Sequence, residues 1–136
     1  MSRKDASEPD AKAPLILNVD DRPSSMYARD RILRAIGFTV ANATTGKDAL
    51  EVAERLRPDA ILLDVHLPDI DGRELCRQFK QNPHFASVPV VLISSTLAGD
   101  ANRLDVMHWA GADGFIIEGT DADIMESTLR RVLTPK

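Results

Sequence analysis

The chain predicts an α/β fold in which one parallel sheet is covered by helices on both faces. Three observations carry that expectation: five short apolar runs of strand length, helical apolar stripes between them, and acidic or hydroxyl residues closing several of the runs. Alternating βα units join parallel strands by crossovers, and the crossover helices bury the sheet. At 136 residues there is room for one domain with a real core, and too little for two ordinary ones.

Residues 1–14 are polar, include Pro9 and Pro14, and show no periodicity. A flexible leader is expected there, with the folded domain over residues 15–134; the leader reads as a natural N-terminus. Leu15-Ile16-Leu17-Asn18-Val19 reads as a strand buried on both faces that ends on Asp20-Asp21. A helix follows, with Ser24 or Ser25 as its cap, Met26, Ile32, Leu33 and Ile36 as its stripe, and Gly37 as its stop. Phe38 to Ala43 alternates loosely as the second strand. Gly46 and Lys47 open a second helix with Ala49, Leu50, Val52, Ala53 and Leu56 on one side, closed by Pro58. Ala60 to Val65 is the most strongly apolar strand and carries Asp64 near its end. A polar loop with Pro68, Asp69, Asp71 and Gly72 leads into a helix through Glu74, Leu75, Cys76 and Phe79 that fades near Pro83. Val88 to Ile93 is the fourth strand, with Pro89 near its beginning where a missing N–H is tolerated, and it ends at Ser94-Ser95-Thr96. A helix over 102–110 passes through Gly111 to the fifth strand, Gly114 to Ile117. Asp121 and Asp123 then precede a last helix carrying Ile124, Met125, Leu129 and Val132.

Composition narrows the function classes. No apolar run approaches the roughly 18 residues of a membrane span, and no apolar stretch follows the basic residues of the N-terminus as a secretory signal requires. Cys76 has no second cysteine for an internal disulfide or a cysteine-type metal site. These features fit a cytoplasmic protein without a membrane partner. The 17 basic and 21 acidic side chains leave a net charge of −4, and the basic ones are dispersed. A direct nucleic-acid partner is therefore not expected.

In open parallel sheets the working site lies beyond the carboxyl ends of the strands. Asp20 and Asp21, Asp64, Ser94-Ser95-Thr96 and Glu118 all fall at such ends. Carboxylates crowded into one cleft need a compensating charge. With no histidine cluster or cysteine pair in the sequence, the obvious counter-ion is a hard divalent cation such as Mg²⁺. Such an arrangement can position a phosphoryl group on one carboxylate. Acids at strand ends also serve as helix caps or solvated loop groups, and position alone leaves both readings open.

The blocks from Leu15 to Asp21, Ile61 to Gly72, Val88 to Ser95 and Ala110 to Phe115 resemble, in order and spacing, the receiver (response-regulator) domain of two-component signalling. The resemblance extends from about Leu15 to Leu133. It implies a flavodoxin-like, doubly wound sheet of five parallel strands in the order 2-1-3-4-5, flanked by five helices. It also implies that Asp64 accepts the phosphoryl group, and that Asp20 and Asp21 organise Mg²⁺, Asp21 as the direct ligand. The backbone carbonyl of His66 completes the protein's share of that shell, while its side chain influences access and the lifetime of the acyl phosphate. Ser94 matches the switch hydroxyl, Phe115 the aromatic that moves with it, and Pro68 and Gly72 the loop that shapes the cleft. Implied partners are a histidine kinase or histidine phosphotransfer protein, a downstream effector domain or protein, and a second copy through helix 4, strand 5 and helix 5. No enzymatic activity is implied beyond self-phosphorylation from a phosphodonor and autodephosphorylation.

Two features depart from the family pattern. Receivers carry a lysine just past the fifth strand, followed by a proline whose preceding bond is cis; this chain has Glu118-Gly119. A glutamate cannot bind a phosphoryl oxygen and repels it unless it turns outward or is screened. A replacement cation such as Lys47 or Arg103 is one remedy, and Gly119 should loosen the loop. Met107 and Trp109 sit where the family often has small or polar residues, either filling space against the sheet or building a partner surface. A phosphoaccepting receiver is thus the leading expectation. A pseudo-receiver, working as a phosphate-independent docking or dimerisation module, is the alternative, and an unrelated Mg²⁺-dependent phosphatase-like enzyme is the remote one.

Overall fold

Leu15–Val19 (β1), Thr39–Ala43 (β2), Ala60–Asp64 (β3), Val90–Ser94 (β4) and Gly114–Ile117 (β5) form one parallel sheet in the order β2-β1-β3-β4-β5. The coordinates, a computed structural model, describe residues 13–94, 105, 107–119 and 121–134. Among these, the helices are Pro23–Ile36 (α1), Gly46–Leu56 (α2), Gly72–Gln81 (α3), the helical residues 105 and 107–110 (α4), and Ala122–Leu133 (α5). The leader up to residue 12, Ser95, Thr96 and Arg103 lie outside the described residues. No helix of the described residues is long and apolar enough to cross a membrane.

The period of two along each strand divides the core between the two faces of the sheet. Leu17, Val19, Ile61, Leu63 and Leu92 pack with Ala49 and Val52 of α2 and with Leu75 and Phe79 of α3. On the other face Ile16, Leu62, Val91, Ile93 and Ile116 pack with Leu33 of α1 and with Met125 and Leu129 of α5. Both faces of β1, β3 and β4 are therefore covered, which is why these strands are apolar nearly throughout.

Several boundaries differ from the sequence expectation, each for a local reason. Pro23 occupies the first turn of α1, where its missing N–H costs nothing, so the N-cap is the extended Arg22 and there is no side-chain cap. Ser24 and Ser25, the expected caps, lie inside the helix. Helix α2 has a working cap, since Thr45 accepts from the Asp48 N–H at 3.0 Å. It stops at Leu56, where Arg57 turns left-handed ahead of Pro58. β2 starts at Thr39 and β4 at Val90, so Pro89 stands just before β4 and no ladder bond is lost. Asp123 falls in the first turn of α5, where an acid suits the helix dipole. Trp109 is 51% exposed rather than packed on the sheet, with the Arg77 guanidinium 5.0 Å from its ring centre.

Candidate functional site

The sheet order sets β1 beside β3 and β3 beside β4, with Val19 opposite Leu63 and Asp64 opposite Ile93. Asp20, Asp64 and Ser94 thus reach the same end of three adjacent strands, at the point where the strand order reverses. All three are buried, whereas Asp21 is exposed. One carboxylate oxygen from each of Asp20, Asp21 and Asp64 lies within 4.8 Å of the others. This cluster can coordinate a divalent cation.

The acids of the β3–α3 loop play a different part. Asp69 accepts the Gly46 N–H at 2.8 Å and the Lys47 N–H at 3.0 Å, closing the start of α2 from outside. Those bonds, Gly46 first, hold its carboxyl below the usual range. Asp71 is the N-cap of α3 and pairs with the Arg73 side chain, which chiefly lowers its carboxyl in turn. Helix capping therefore accounts for Asp69 and Asp71, and convergence on one cleft accounts for Asp20, Asp21 and Asp64.

Two arginines that sequence reading missed hold this cleft together. Asn18 and Asp20 follow Ile16 on the α1 side of β1, by the alternation of the strand. There Arg29 of α1, itself only 4% exposed, donates to Asn18 Oδ1 at 3.1 Å and to Asp20 Oδ2 at 2.9 Å. Arg22 sits at the mouth of the cleft. Its backbone N–H donates to Asp20 Oδ1 at 2.8 Å, and its Nη2 donates to Asp64 Oδ2 at 3.1 Å and to Glu118 Oε1 at 2.6 Å. Glu118 turns inward, and its Oε2 accepts from Ser25 Oγ at 3.2 Å. Its backbone N–H donates to the Ser94 carbonyl at 2.8 Å, which carries it past the end of β5.

Burial is the largest influence on Asp64 and pushes its carboxyl above the ordinary range. The His66 N–H, which donates to Asp64 Oδ1 at 2.8 Å, pulls it down; Asp20 raises it, and Arg22 and Arg29 lower it. The bond to Glu118 does most to raise the Arg22 guanidinium still further above its ordinary value. Lys47, the described residue of the two expected replacement cations, is exposed, and its backbone N–H is spent on Asp69. Among the described residues, Arg22 is the cation paired with Asp64.

Of the other expected site residues, His66, Pro68 and Gly72 lie just past the end of β3, whereas Phe115 stands opposite Leu92, two residues short of that end of the sheet. His66 is exposed, bridged to Asp71, and meets Asp64 through its backbone. Pro68 is exposed in the loop, and Gly72 begins α3 with its N–H on the Val65 carbonyl at 2.7 Å. A Cβ on Gly72 would run into the Asp64 carbonyl oxygen, so the loop closes this tightly on the acceptor strand only with glycine. Phe115 of β5 is half-buried against the α2/α3 side of the core. No peptide bond is cis among the described residues, and Gly119 turns the chain with φ +85°.

The sequence matches the response regulator receiver domain family over residues 16–130. It is 38% identical over 119 residues to the response regulator PleD of Caulobacter vibrioides, a match covering 88% of this chain and 26% of PleD. Across PleD and two other curated relatives this chain spans 26%, 15% and 51% of their lengths. Among solved structures, the BeF3-activated N-terminal receiver domain of Klebsiella pneumoniae RstA superimposes with a TM-score of 0.78 at 31% identity, covering 89% of this chain and 99% of that one. The receiver domain of a Pseudomonas aeruginosa sensor histidine kinase, with a magnesium ion coordinated in its active-site cleft, gives 0.78 at 29% identity, covering 89% and 98%.

Proposed function

This chain belongs to the response regulator receiver domain family, and on that premise we propose that it takes a phosphoryl group on Asp64 from a histidine kinase or histidine phosphotransfer protein. The observation that carries the reading is the placement of Asp64. It is a buried carboxylate at the end of β3, with two further carboxylates within 4.8 Å and a guanidinium on its Oδ2. In the transfer an Asp64 oxygen attacks phosphorus as the P–N bond of the donor phosphohistidine breaks. The electron pair leaves on the imidazole nitrogen, and an acyl phosphate forms on Asp64. Hydrolysis later returns the carboxylate and inorganic phosphate.

Asp20, Asp21 and Asp64, together with the His66 backbone carbonyl, would hold Mg²⁺, for which an all-oxygen donor set is suited. Bound there, the ion supplies positive charge against the phosphoryl oxygens. Asp20 is kept in place by Arg29, and the His66 N–H fixes the rotation of the Asp64 carboxylate. Ser94 and Phe115 are the groups whose rearrangement reports the new charge. The outlet is the surface of α4, β5 and α5, which presents Trp109, Ile117 and Ile124 to solvent for an effector domain, a separate protein or a second copy.

Intact-mass measurement after incubation with Mg²⁺ and a small phosphodonor tests the reading. A single phosphate-sized, hydroxylamine-labile adduct that is absent from Asp64→Ala supports it, and an unmodified wild-type protein overturns it. The second reading, a phosphate-independent docking module, draws on Glu118 facing the cleft. It predicts partner binding that is unchanged in Asp64→Ala.

A further inference from the structure

We infer that Arg22 is the cationic ligand of the phosphoryl group on Asp64, and that Glu118 is the residue that positions it. The inference rests on the phosphoacceptor reading and adds to it the residue that recognises the transferred group. Contact comes first: Arg22 Nη2 already lies on Asp64 Oδ2 at 3.1 Å, within reach of a group carried by that carboxylate. The Arg22 side chain is 44% exposed, so it is open to solvent at the mouth of the cleft. Arg29 is unsuited to the role, because it is buried and its guanidinium is committed to Asn18 and Asp20.

Charge gives the second reason. Asp20, Asp21, Asp64 and Glu118 bring four carboxylates to this end of the sheet, against the guanidinium groups of Arg22 and Arg29. A phosphoryl group adds further negative charge in front of Glu118, a contact that is repulsive unless a cation stands between them. Arg22 stands there. Its planar fork can keep one edge on Glu118 while presenting N–H groups to phosphoryl oxygens, a geometry that a lysine ammonium does not share.

Geometry supplies the third. Glu118 is doubly anchored, by its backbone N–H on the Ser94 carbonyl and by Ser25 Oγ on its side chain, so it offers Arg22 a fixed point rather than a loose counter-ion. Arg22 itself is fixed at its backbone by the N–H bond to Asp20 and by Pro23 behind it. A long side chain held at both ends loses less freedom when it binds an anion.

The test is calorimetric titration of fluoroberyllate, a phosphoryl mimic, into the Mg²⁺-loaded protein, with Mg²⁺ binding alone measured separately. Wild type is compared with Arg22→Ala/Glu118→Gln, which removes both the cation and the charge it screens, and with Arg22→Ala/Glu118→Lys, which moves a cation to the other side of the cleft. Loss of a charge-assisted contact should weaken fluoroberyllate in the Gln double variant by about ten- to hundredfold, with Mg²⁺ affinity altered only a few-fold. The Lys double variant should recover most of the loss, which also shows that the site stays folded. Wild-type affinity in the Gln double variant would overturn the inference, since Arg22 would then only neutralise Glu118. Binding by the Lys double variant but not by wild type would overturn it too, while leaving Asp64 as an acceptor. Binding by none of the three would overturn both readings.

Discussion

Replacing Arg29 by methionine tests how the cleft tolerates a buried carboxylate. The substitution keeps an apolar stem in the α1 stripe but removes the guanidinium that donates to Asp20 Oδ2 at 2.9 Å and to Asn18 Oδ1 at 3.1 Å. Breaking a buried ion pair by removing one partner costs about 3–5 kcal/mol, because the remaining charge is stranded. Asp20 is not wholly stranded: the Arg22 N–H at 2.8 Å and Nε at 3.4 Å remain on its Oδ1. The expected loss is therefore at the low end, about 3 kcal/mol, or roughly a 10 °C fall in Tm for a domain of this size. Thermal and urea unfolding followed by circular dichroism in chelator would measure it. In the Asp20→Asn background the same substitution should cost at least ~1 kcal/mol less, since the two residues share one interaction. Added Mg²⁺ should narrow the gap between Arg29→Met and wild type by compensating Asp20. A loss below ~1 kcal/mol in chelator, or strict additivity with Asp20→Asn, would refute the account of Arg29 as the counter-ion of Asp20.

Gly72→Ala should cost about 2–3 kcal/mol by overpacking, because its Cβ meets the Asp64 carbonyl, and should also lower phosphodonor labelling; unchanged melting would show that the loop can shift freely. Gly119→Ala meets nothing within 4 Å, yet φ +85° should still cost about 1 kcal/mol in urea unfolding, and a null result would place the strain elsewhere. Burial pushes the Cys76 thiol up to about 12, so iodoacetamide at mildly alkaline pH should spare the native protein and label it in urea. Because that folded value lies above the unfolded one, the stabilising contribution is complete below the ordinary thiol range and is lost as pH rises from ~8.5 toward the folded value. Stability against pH should accordingly fall less steeply in Cys76→Ala over that interval, by up to ~1.4 kcal/mol per pH unit; equal slopes would show that the thiol does not titrate differently on folding.

What sequence could show and what it could not follow from the range of the interactions involved. Strand identity was legible because β1, β3 and β4 are buried on both faces and are therefore apolar at nearly every position. The acids converged as expected because strand order alone brings the ends of β1 and β3 together. Arg29 could have been found: Met26, Arg29, Leu33 and Ile36 are spaced by three, four and three, so an arginine stands on the buried stripe and asks for a buried acid. Proline at the first helical turn likewise argues against Ser24 and Ser25 as caps. The inward turn of Glu118 had no such signal. Its partners Arg22 and Ser25 lie on another helix start, and nothing local to Glu118 specifies which way its side chain points.

The bond from Arg22 to Glu118 joins residues 96 positions apart in the sequence. During synthesis Asp20, Asp21 and Asp64 leave the ribosome well before β5, and contacts of such separation close late. A nascent chain can thus present its acids in one cleft before anything anchors Arg22 from the far side. The residue that restrains the cation follows the last strand in chain order, so a truncation product ending before Glu118 would carry the acids without the restraint that orders their guanidinium.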